Sequence, residues 1–202
     1  MKILVCEDQQ ILLDGLKSTL GKDPAFSIAA TVRDAKEILP FLRKQAVDLV
    51  LTDIITMNKN NALDYVGEIR KEFPAVKIVA ITGFPDITFM EKAKKSGVNS
   101  FVYKNISTEE LISVLKNTFS GYSVFPSEEN TQAMFLSSLS DTETAILRLY
   151  CSGKEREEIS EILYISASSL KSHISSILQK TGFPSMARVA IYAVSNGLIV
   201  TE

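Results

Sequence analysis

The side chains in this sequence that could do chemistry together are the adjacent acids Glu7 and Asp8, a third acid at Asp53, a hydroxyl at Thr82 and an ammonium at Lys104. Each stands at or just past the end of a short apolar run, and the run into Asp53, from Val47 to Thr52, reads as a strand buried on both faces. A lone acid after a strand can simply cap the next loop. Three carboxylates brought together with one lysine are another matter, because their mutual repulsion has to be neutralised, and a hard cation such as Mg²⁺ does that through oxygen ligands. Two carboxylates and a backbone carbonyl leave room on such an ion for water and phosphate oxygens. A carboxylate beside it can attack a phosphoryl donor and form an acyl phosphate, which makes Asp53 the candidate nucleophile. Lys104 would pair with the phosphoryl charge, Thr82 would bond one of its oxygens, and Gly83 would keep space beside it.

The elements that must position these groups follow from periodicity. Residues 2–6 read as a strand running into Glu7 and Asp8, and Ile11, Leu12, Leu16 and Leu20 recur at helical spacing before Gly21. Phe26–Val32 is the second strand, with Asp34 as cap for a helix carrying Ile38, Leu39 and Leu42, which Pro40 should kink or delay. The third strand ends at Asp53, and Asn60 or Asn61 precedes a helix with Leu63, Val66 and Ile69 on one face. Val76–Ile81 is strand four, a helix over about 87–96 stops at Gly97, and Ser100–Tyr103 is strand five. Ser107-Thr-Glu-Glu110 then opens a last helix with a capping box. Alternating strands and helices predict an α/β fold, a doubly wound five-stranded parallel sheet, whose strand ends meet at one edge.

Bulk properties narrow the class. The chain has 202 residues, 46% apolar and 23% charged, enough for two small domains. No apolar run approaches the roughly 18 residues of a membrane helix, and Glu7 and Asp8 interrupt any signal-peptide core, so a cytoplasmic protein without a membrane partner is expected. Cys6 and Cys151 are far apart and read as reduced. Two cysteines and one histidine cannot build a zinc site at these spacings. Charge shows no global basic signature: residues 1–120 hold 16 Lys+Arg against 15 Asp+Glu, and residues 137–202 hold 6 against 7.

Residues 1–121 resemble a response-regulator receiver domain of two-component signalling. The resemblance makes Glu7 and Asp8 the acidic metal pair, with Asp53 the phospho-acceptor and third metal residue, Mg²⁺ the cofactor, Thr82 the switch hydroxyl and Lys104 the phosphate-pairing lysine. Phe101, three residues before that lysine, matches the switch aromatic that turns inward as the hydroxyl moves to the phosphoryl group; it could also be plain core. A sensor histidine kinase is the implied donor, docking beside the first helix at Leu12, Leu13 and Leu16. The sequence departs from the family at residues 54–61, Ile-Ile-Thr-Met-Asn-Lys-Asn-Asn, where one extra residue puts the metal carbonyl expected from Ile55 in question, and at Asn105, where proline is common. Ile55 and Phe84, two residues beyond Asp53 and Thr82, should hinder the attacking water and slow hydrolysis of the acyl phosphate.

Residues 122–138 read as a linker in which Met134, Phe135 and Leu136 suggest a docked or short helical piece. Beyond it, Ser140-Asp-Thr-Glu143 is another capping box, and helices follow over about 155–163 and 167–180, joined through Tyr164, Ile165 and Ser166, with a final one from Ser185 to about Asn196. With Leu139-Ser-Asp-Thr-Glu143, Ser169-Leu-Lys-Ser-His173 and Lys180, residues 139–202 resemble the LuxR-type helix-turn-helix of the NarL/FixJ regulators. That resemblance implies double-stranded promoter DNA as partner and points to Lys171, Ser172, His173 and Ser175 as contacts. His173 taken by itself is better read as a packed or capping histidine. Glu155-Arg-Glu-Glu158 places acid where a backbone-facing lysine is usual, so one domain should bind DNA weakly. A homodimer formed on phosphorylation, through the last receiver helices or the terminal helix around 188–194, would compensate.

The resulting expectation is a phosphorylation-switched transcription regulator, not an enzyme beyond its own phosphoryl transfer and slow autodephosphorylation. Two rivals stand beside it. A phospho-switched adaptor would use the acidic helical domain to bind protein. A phosphohydrolase of the haloacid dehalogenase type would need a second acid two residues after the nucleophile, where Ile55 stands.

Overall fold

The computed structural model of the chain describes residues 1–83, 87–127 and 135–199. Two compact units are present, one made of residues 1–83 and 88–126, the other holding the residues from Ser127 onward.

The first unit is a five-stranded parallel sheet in the order β2-β1-β3-β4-β5, formed by β1 (Lys2–Cys6), β2 (Ser27–Val32), β3 (Leu49–Asp53), β4 (Lys77–Thr82) and β5 (Ser100–Tyr103). Between and after the strands run α1 (Gln10–Gly21), α2 (Ile38–Leu42), α3 (Val66–Glu72), α4 (Ile87–Ser96) and α5 (Thr108–Phe119). Every residue of β3 is buried, as its continuous apolar character requires of a central parallel strand. Leu49 and Leu51 are fully removed from water, each worth roughly 2 kcal/mol in transfer free energy. The register pairs Cys6 with Thr52, Asp53 with Ile81 and Thr82 with Tyr103. That alignment brings the carboxyl ends of β1, β3, β4 and β5 level, so the residues leaving those strands share one edge.

Pro40 leaves its mark as expected. After β2 the chain makes a 3₁₀ turn, Ala35–Glu37, and only then the short α2, with Pro40 in its first turn where a missing N–H costs little. Asp34 caps that turn, accepting from Lys36 N at 3.1 Å while its own N–H donates to Glu37. The helix expected directly after Asn61 begins later: Asn61 caps a 3₁₀ turn, Ala62–Asp64, before α3. Two of the leucines expected to meet a kinase, Leu13 and Leu16, are corrected by the fold. They lie on the buried face of α1 against the sheet, and Ile11, 90% exposed, is the apolar side chain that α1 offers to solvent.

The stretch after α5 is not free chain at its start. Phe101 N–H donates to the Val124 carbonyl at 2.8 Å, and Val124 N–H donates to Ser100 Oγ at 3.0 Å. Residues following Gly121 thus cover the outer edge of β5, which would otherwise expose unpaired backbone groups. The Lys94 ammonium lies 5.3 Å from the centre of the Phe125 ring, adding a cation–π contact.

The second unit consists of α6 (Asp141–Cys151), α7 (Arg156–Ile162), α8 (Ala167–Thr181) and α9 (Met186–Ser195), preceded by a helical turn over 135–138. Serines cap three of the helices: Ser140, Ser166 and Ser185 accept from the backbone N–H groups of Glu143, Ser169 and Arg188. Gly182, with φ +74°, ends α8 in the left-handed conformation glycine adopts freely. Phe135, Ile146, Ile159, Ile177 and Val189 are wholly buried, and the Tyr192 ring sits 5.0 Å from Phe135 and 5.2 Å from Phe183. Phe135 therefore belongs to the core of this unit. Met134 lies outside the described residues. Among the described residues, no helix is long and apolar enough to cross a membrane.

Candidate functional site

At the carboxyl edge of the sheet, Glu7, Asp8 and Asp53 offer oxygens that all lie within 4.8 Å of one another. Lys104 reaches this cluster from the end of β5, its Nζ 2.7 Å from Asp53 Oδ2 and 2.9 Å from Glu7 Oε2. Both pairs are deeply set: Glu7 is 1% exposed and Asp53 5%. The ammonium donates a directed hydrogen bond to Asp53, whereas its contact with Glu7 Oε2 lies off that geometry and leaves this buried oxygen without a hydrogen-bond donor. Burial pushes the Asp53 carboxyl up to about 6, against the pull of Lys104, and the Glu7 charge adds to the rise. For Lys104, burial pulls the ammonium down, but the charges of Asp53 and Glu7 outweigh it and raise it. One lysine thus pairs with the two buried acids of a cluster of three, and the cluster remains short of positive charge.

This deficit fits a hard divalent cation. The donors are oxygens only, which suits Mg²⁺ better than zinc, and Glu7 Oε2, whose contact with the shared Lys104 ammonium lies off hydrogen-bond geometry, is the kind of buried group that a metal satisfies. Thr82 is fully buried at the end of β4, and its carbonyl accepts from Lys104 N–H at 2.7 Å, tying the hydroxyl-bearing residue to the lysine-bearing one. Phe101 is also fully buried, its ring edge-on to Tyr103 at 5.4 Å. A methyl group at Gly83 would meet Lys104 Cδ at 3.8 Å, an ordinary contact with the protein itself. Ile55 is half-buried, and Phe84 lies outside the described residues.

Residues 54–61 fold into a small hairpin. Ile55 and Asn61 form an antiparallel bridge, flanked by Ala62 N–H to Ile54 O at 2.8 Å and Thr56 N–H to Asn60 O at 2.9 Å. At the tip, Asn58 and Lys59 take φ of 59° and 60°, the left-handed region. Asn58 and Asn60 then donate to Asp34, and Arg33, next to it, donates to the Asp8 carbonyl at 2.5 Å. Sequence reasoning assigned Asp8 to the site but none of Arg33, Asp34, Asn58 and Asn60. The available signal was the run of asparagines, which tolerate left-handed backbone and turn geometry.

In the helical unit, α8 buries Leu170, Ile174, Ile177 and Thr181. Lys171, Ser172 and Ser175 lie exposed, with Ser168, on a stripe set by i, i+3, i+4 and i+7 spacing. His173 sits half-buried on the flank of that stripe, apart from the other three. Lys180 is committed inward: its ammonium is 2.6 Å from Glu143, an acid 3% exposed. The acids opening α7 have local work. Glu158 accepts from Glu155 N–H at 2.9 Å and pairs with Lys154 at 3.0 Å, so its charge secures the helix start. In the turn between α7 and α8, Tyr164 is 96% exposed and has φ 51°.

Comparison with known proteins places these units. Residues 3–116 match the family described as response regulator receiver domain, and residues 137–193 match bacterial regulatory proteins of the luxR family. The response regulator protein VraR of Staphylococcus epidermidis is 26% identical over 207 residues, covering 98% of this chain and 99% of that protein. The transcriptional regulatory protein LnrK of Bacillus subtilis is 27% identical over 219 residues, covering 99% of each. Among solved structures, the two-component response regulator RcsB in complex with DNA aligns over 96% of this chain and 98% of that one, with 20% identity and a TM-score of 0.62. RcsB from Salmonella enterica serovar Typhimurium, bound to the promoter rprA in the presence of phosphomimetic BeF₃⁻, aligns over the same shares with a TM-score of 0.60.

Proposed function

We propose a function from one premise: this chain belongs to the response regulator receiver family, by a domain that takes up more than half its length, and carries a luxR-family regulatory domain behind it. In this reading a sensor histidine kinase phosphorylates Asp53, and the phosphorylated chain binds promoter DNA through the helix-turn-helix and regulates transcription. The observation that carries it is the Lys104 ammonium bridging Asp53 and Glu7 at the edge where Asp8 also stands. Glu7, Asp8 and Asp53 would hold Mg²⁺, which when bound neutralises the acids and the incoming phosphoryl oxygens. Asp53 is the attacking oxygen. Lys104, freed from its contact with Asp53, pairs with the transferred group, and Thr82 supplies a hydroxyl donor to it.

The route outward starts at Phe101. Its N–H is bonded to Val124, so a shift of β5 at the switch aromatic moves the first residues of the linker. On the DNA side, Lys171, Ser172 and Ser175 form the exposed stripe of α8 and are the proposed contacts, with His173 at its margin. Ile191 and Val194, one helical turn apart on α9 and 62% and 42% exposed, are the proposed dimer surface. A kinase and DNA as partners support a cytoplasmic location, and the chemistry of this reading is the chain's own phosphoryl transfer and slow hydrolysis. The test is incubation with acetyl phosphate and Mg²⁺ followed by intact-mass measurement. A phosphoryl adduct on the wild type that is lost in Asp53→Asn is expected, and an adduct that persists in Asp53→Asn would remove the reading.

A further inference from the structure

We infer that Asp34 is a positioning residue for the phosphorylation site, holding through Asn58 and Asn60 the loop that presents the Ile55 carbonyl beside Asp53. The inference rests on the proposed metal-dependent phosphorylation of Asp53.

Asp34 is 1% exposed, and each of its oxygens takes one asparagine: Asn60 Nδ2 donates to Oδ1 at 2.7 Å and Asn58 Nδ2 to Oδ2 at 3.1 Å. Capping the 3₁₀ turn needs only one oxygen, which accepts from Lys36 N–H. The second oxygen is shared between the exposed Lys36 ammonium at 3.3 Å and Asn58, and through Asn58 it serves the loop. The neighbours of Asp34 do the same. Met57 N–H donates to Arg33 O at 3.1 Å, and Ala35 N–H donates to Thr56 Oγ1 at 2.9 Å. Arg33 then closes the circuit by donating from its guanidinium to the Asp8 carbonyl. Three consecutive residues thus lock the strand-one acid to the loop that follows the strand-three acid.

The hairpin explains what is being held. In an antiparallel ladder, a residue pair flanked by cross-bonds on both sides is the non-hydrogen-bonded kind, with its own N–H and C=O turned out of the hairpin. Ile55 is in that position, between the Ala62–Ile54 and Thr56–Asn60 bonds, and no described hydrogen bond ends on its carbonyl. The tip takes its sharp turn in the left-handed Asn58 and Lys59, while Ile55 keeps an uncommitted carbonyl two residues after Asp53. Asparagine tolerates left-handed backbone, but lysine does not adopt it readily, so a tip with both Asn58 and Lys59 there gains from bonds that hold it. Asp34 supplies those bonds.

The test is calorimetric titration of Mg²⁺ into the full-length wild type, Asp34→Ala and the double variant Asn58→Ala/Asn60→Ala, with thermal melts of the metal-free proteins alongside. Groups that orient metal ligands without touching the ion typically change affinity by about 10- to 100-fold, and a loss of at least about tenfold is expected in both variants. The asparagine variant keeps the Asp34 cap, so it carries the test even where Asp34→Ala fails to fold. Arg43→Ala, which breaks only the exposed pair with Glu72, should leave Mg²⁺ affinity unchanged. Wild-type affinity in the asparagine variant, with or without a lowered melting temperature, would overturn the inference while leaving the phosphorylation reading in place. Failure of the wild type itself to take up Mg²⁺ would overturn both.

Discussion

Two buried acids, one in each unit, behave in opposite ways. Glu143 of the helical unit and Asp53 of the sheet edge are 3% and 5% exposed, and each is paired with a lysine. Burial pushes Glu143 up as well, but Lys180, Ser176 and the Ser140 N–H together hold it down to about 2. Burial pushes Asp53 up to about 6, and Lys104, which it shares with Glu7, pulls it down too little to offset that. The two are equally shielded from solvent, but Asp53 lies deeper in the protein and receives fewer donors, and both differences push it up. A saturated carboxylate is structural and has nothing left to offer. An undersupplied one retains demand for a cation and a lone pair for attack, which is where chemistry is to be sought.

The largest expected effect comes from removing each lysine. Loss of one partner from a buried pair costs about 3–5 kcal/mol, so Lys104→Met should lose about that much stability in metal-free buffer and recover most of it when Mg²⁺ is added. Lys180→Met should lose about 1–3 kcal/mol, since Glu143 keeps its backbone and serine donors, and Mg²⁺ should restore none of it. Urea denaturation with and without Mg²⁺ measures both. Equal losses with equal responses to the metal would erase the distinction between the two acids.

Next in size is an acid titration. Glu143 titrates below its ordinary 4.5, so its stabilisation is present above about 4.5 and is lost as pH falls through about 2. Wild type should lose up to about 3 kcal/mol more than Glu143→Gln across that window, as read from stability-versus-pH curves. Parallel curves would mean that Glu143 is not held as described. Smaller still is Lys59→Gly, which relieves a left-handed residue but adds chain entropy to the unfolded state, for a net gain below about 1 kcal/mol in chemical denaturation. A loss would show that the Lys59 side chain has contacts of its own.

Much of the sheet-edge site could be read from sequence because topology does the assembling. Once strands and helices alternate, any residue just past a strand falls at the same edge, and Glu7, Asp8, Asp53, Thr82 and Lys104 each fall there by position alone. The Asp34 circuit could not be read this way. It joins the loop after β2 to the loop after β3 through side chains, and neither the asparagines nor the aspartate has a spacing that marks its partner. The α1 face was misjudged for a related reason: Ile11, Leu12, Leu13 and Leu16 are apolar on several sides, so periodicity does not say which of them meet the sheet. Likewise the acids at 155–158 look like an obstacle to DNA until Glu158 is seen bonded to the backbone that begins its own helix.

The central claim is that the state of Asp53 governs the helical unit, and DNA affinity tests it most directly. Duplexes selected from a random pool by the phosphorylated wild type would be titrated with wild type, with and without acetyl phosphate and Mg²⁺, and with Asp53→Asn under the same conditions. Coupling of ordinary strength predicts that phosphorylation tightens binding by about tenfold or more in the wild type alone. Equal affinity of Asp53→Asn and the phosphorylated protein for the same duplex would contradict the account.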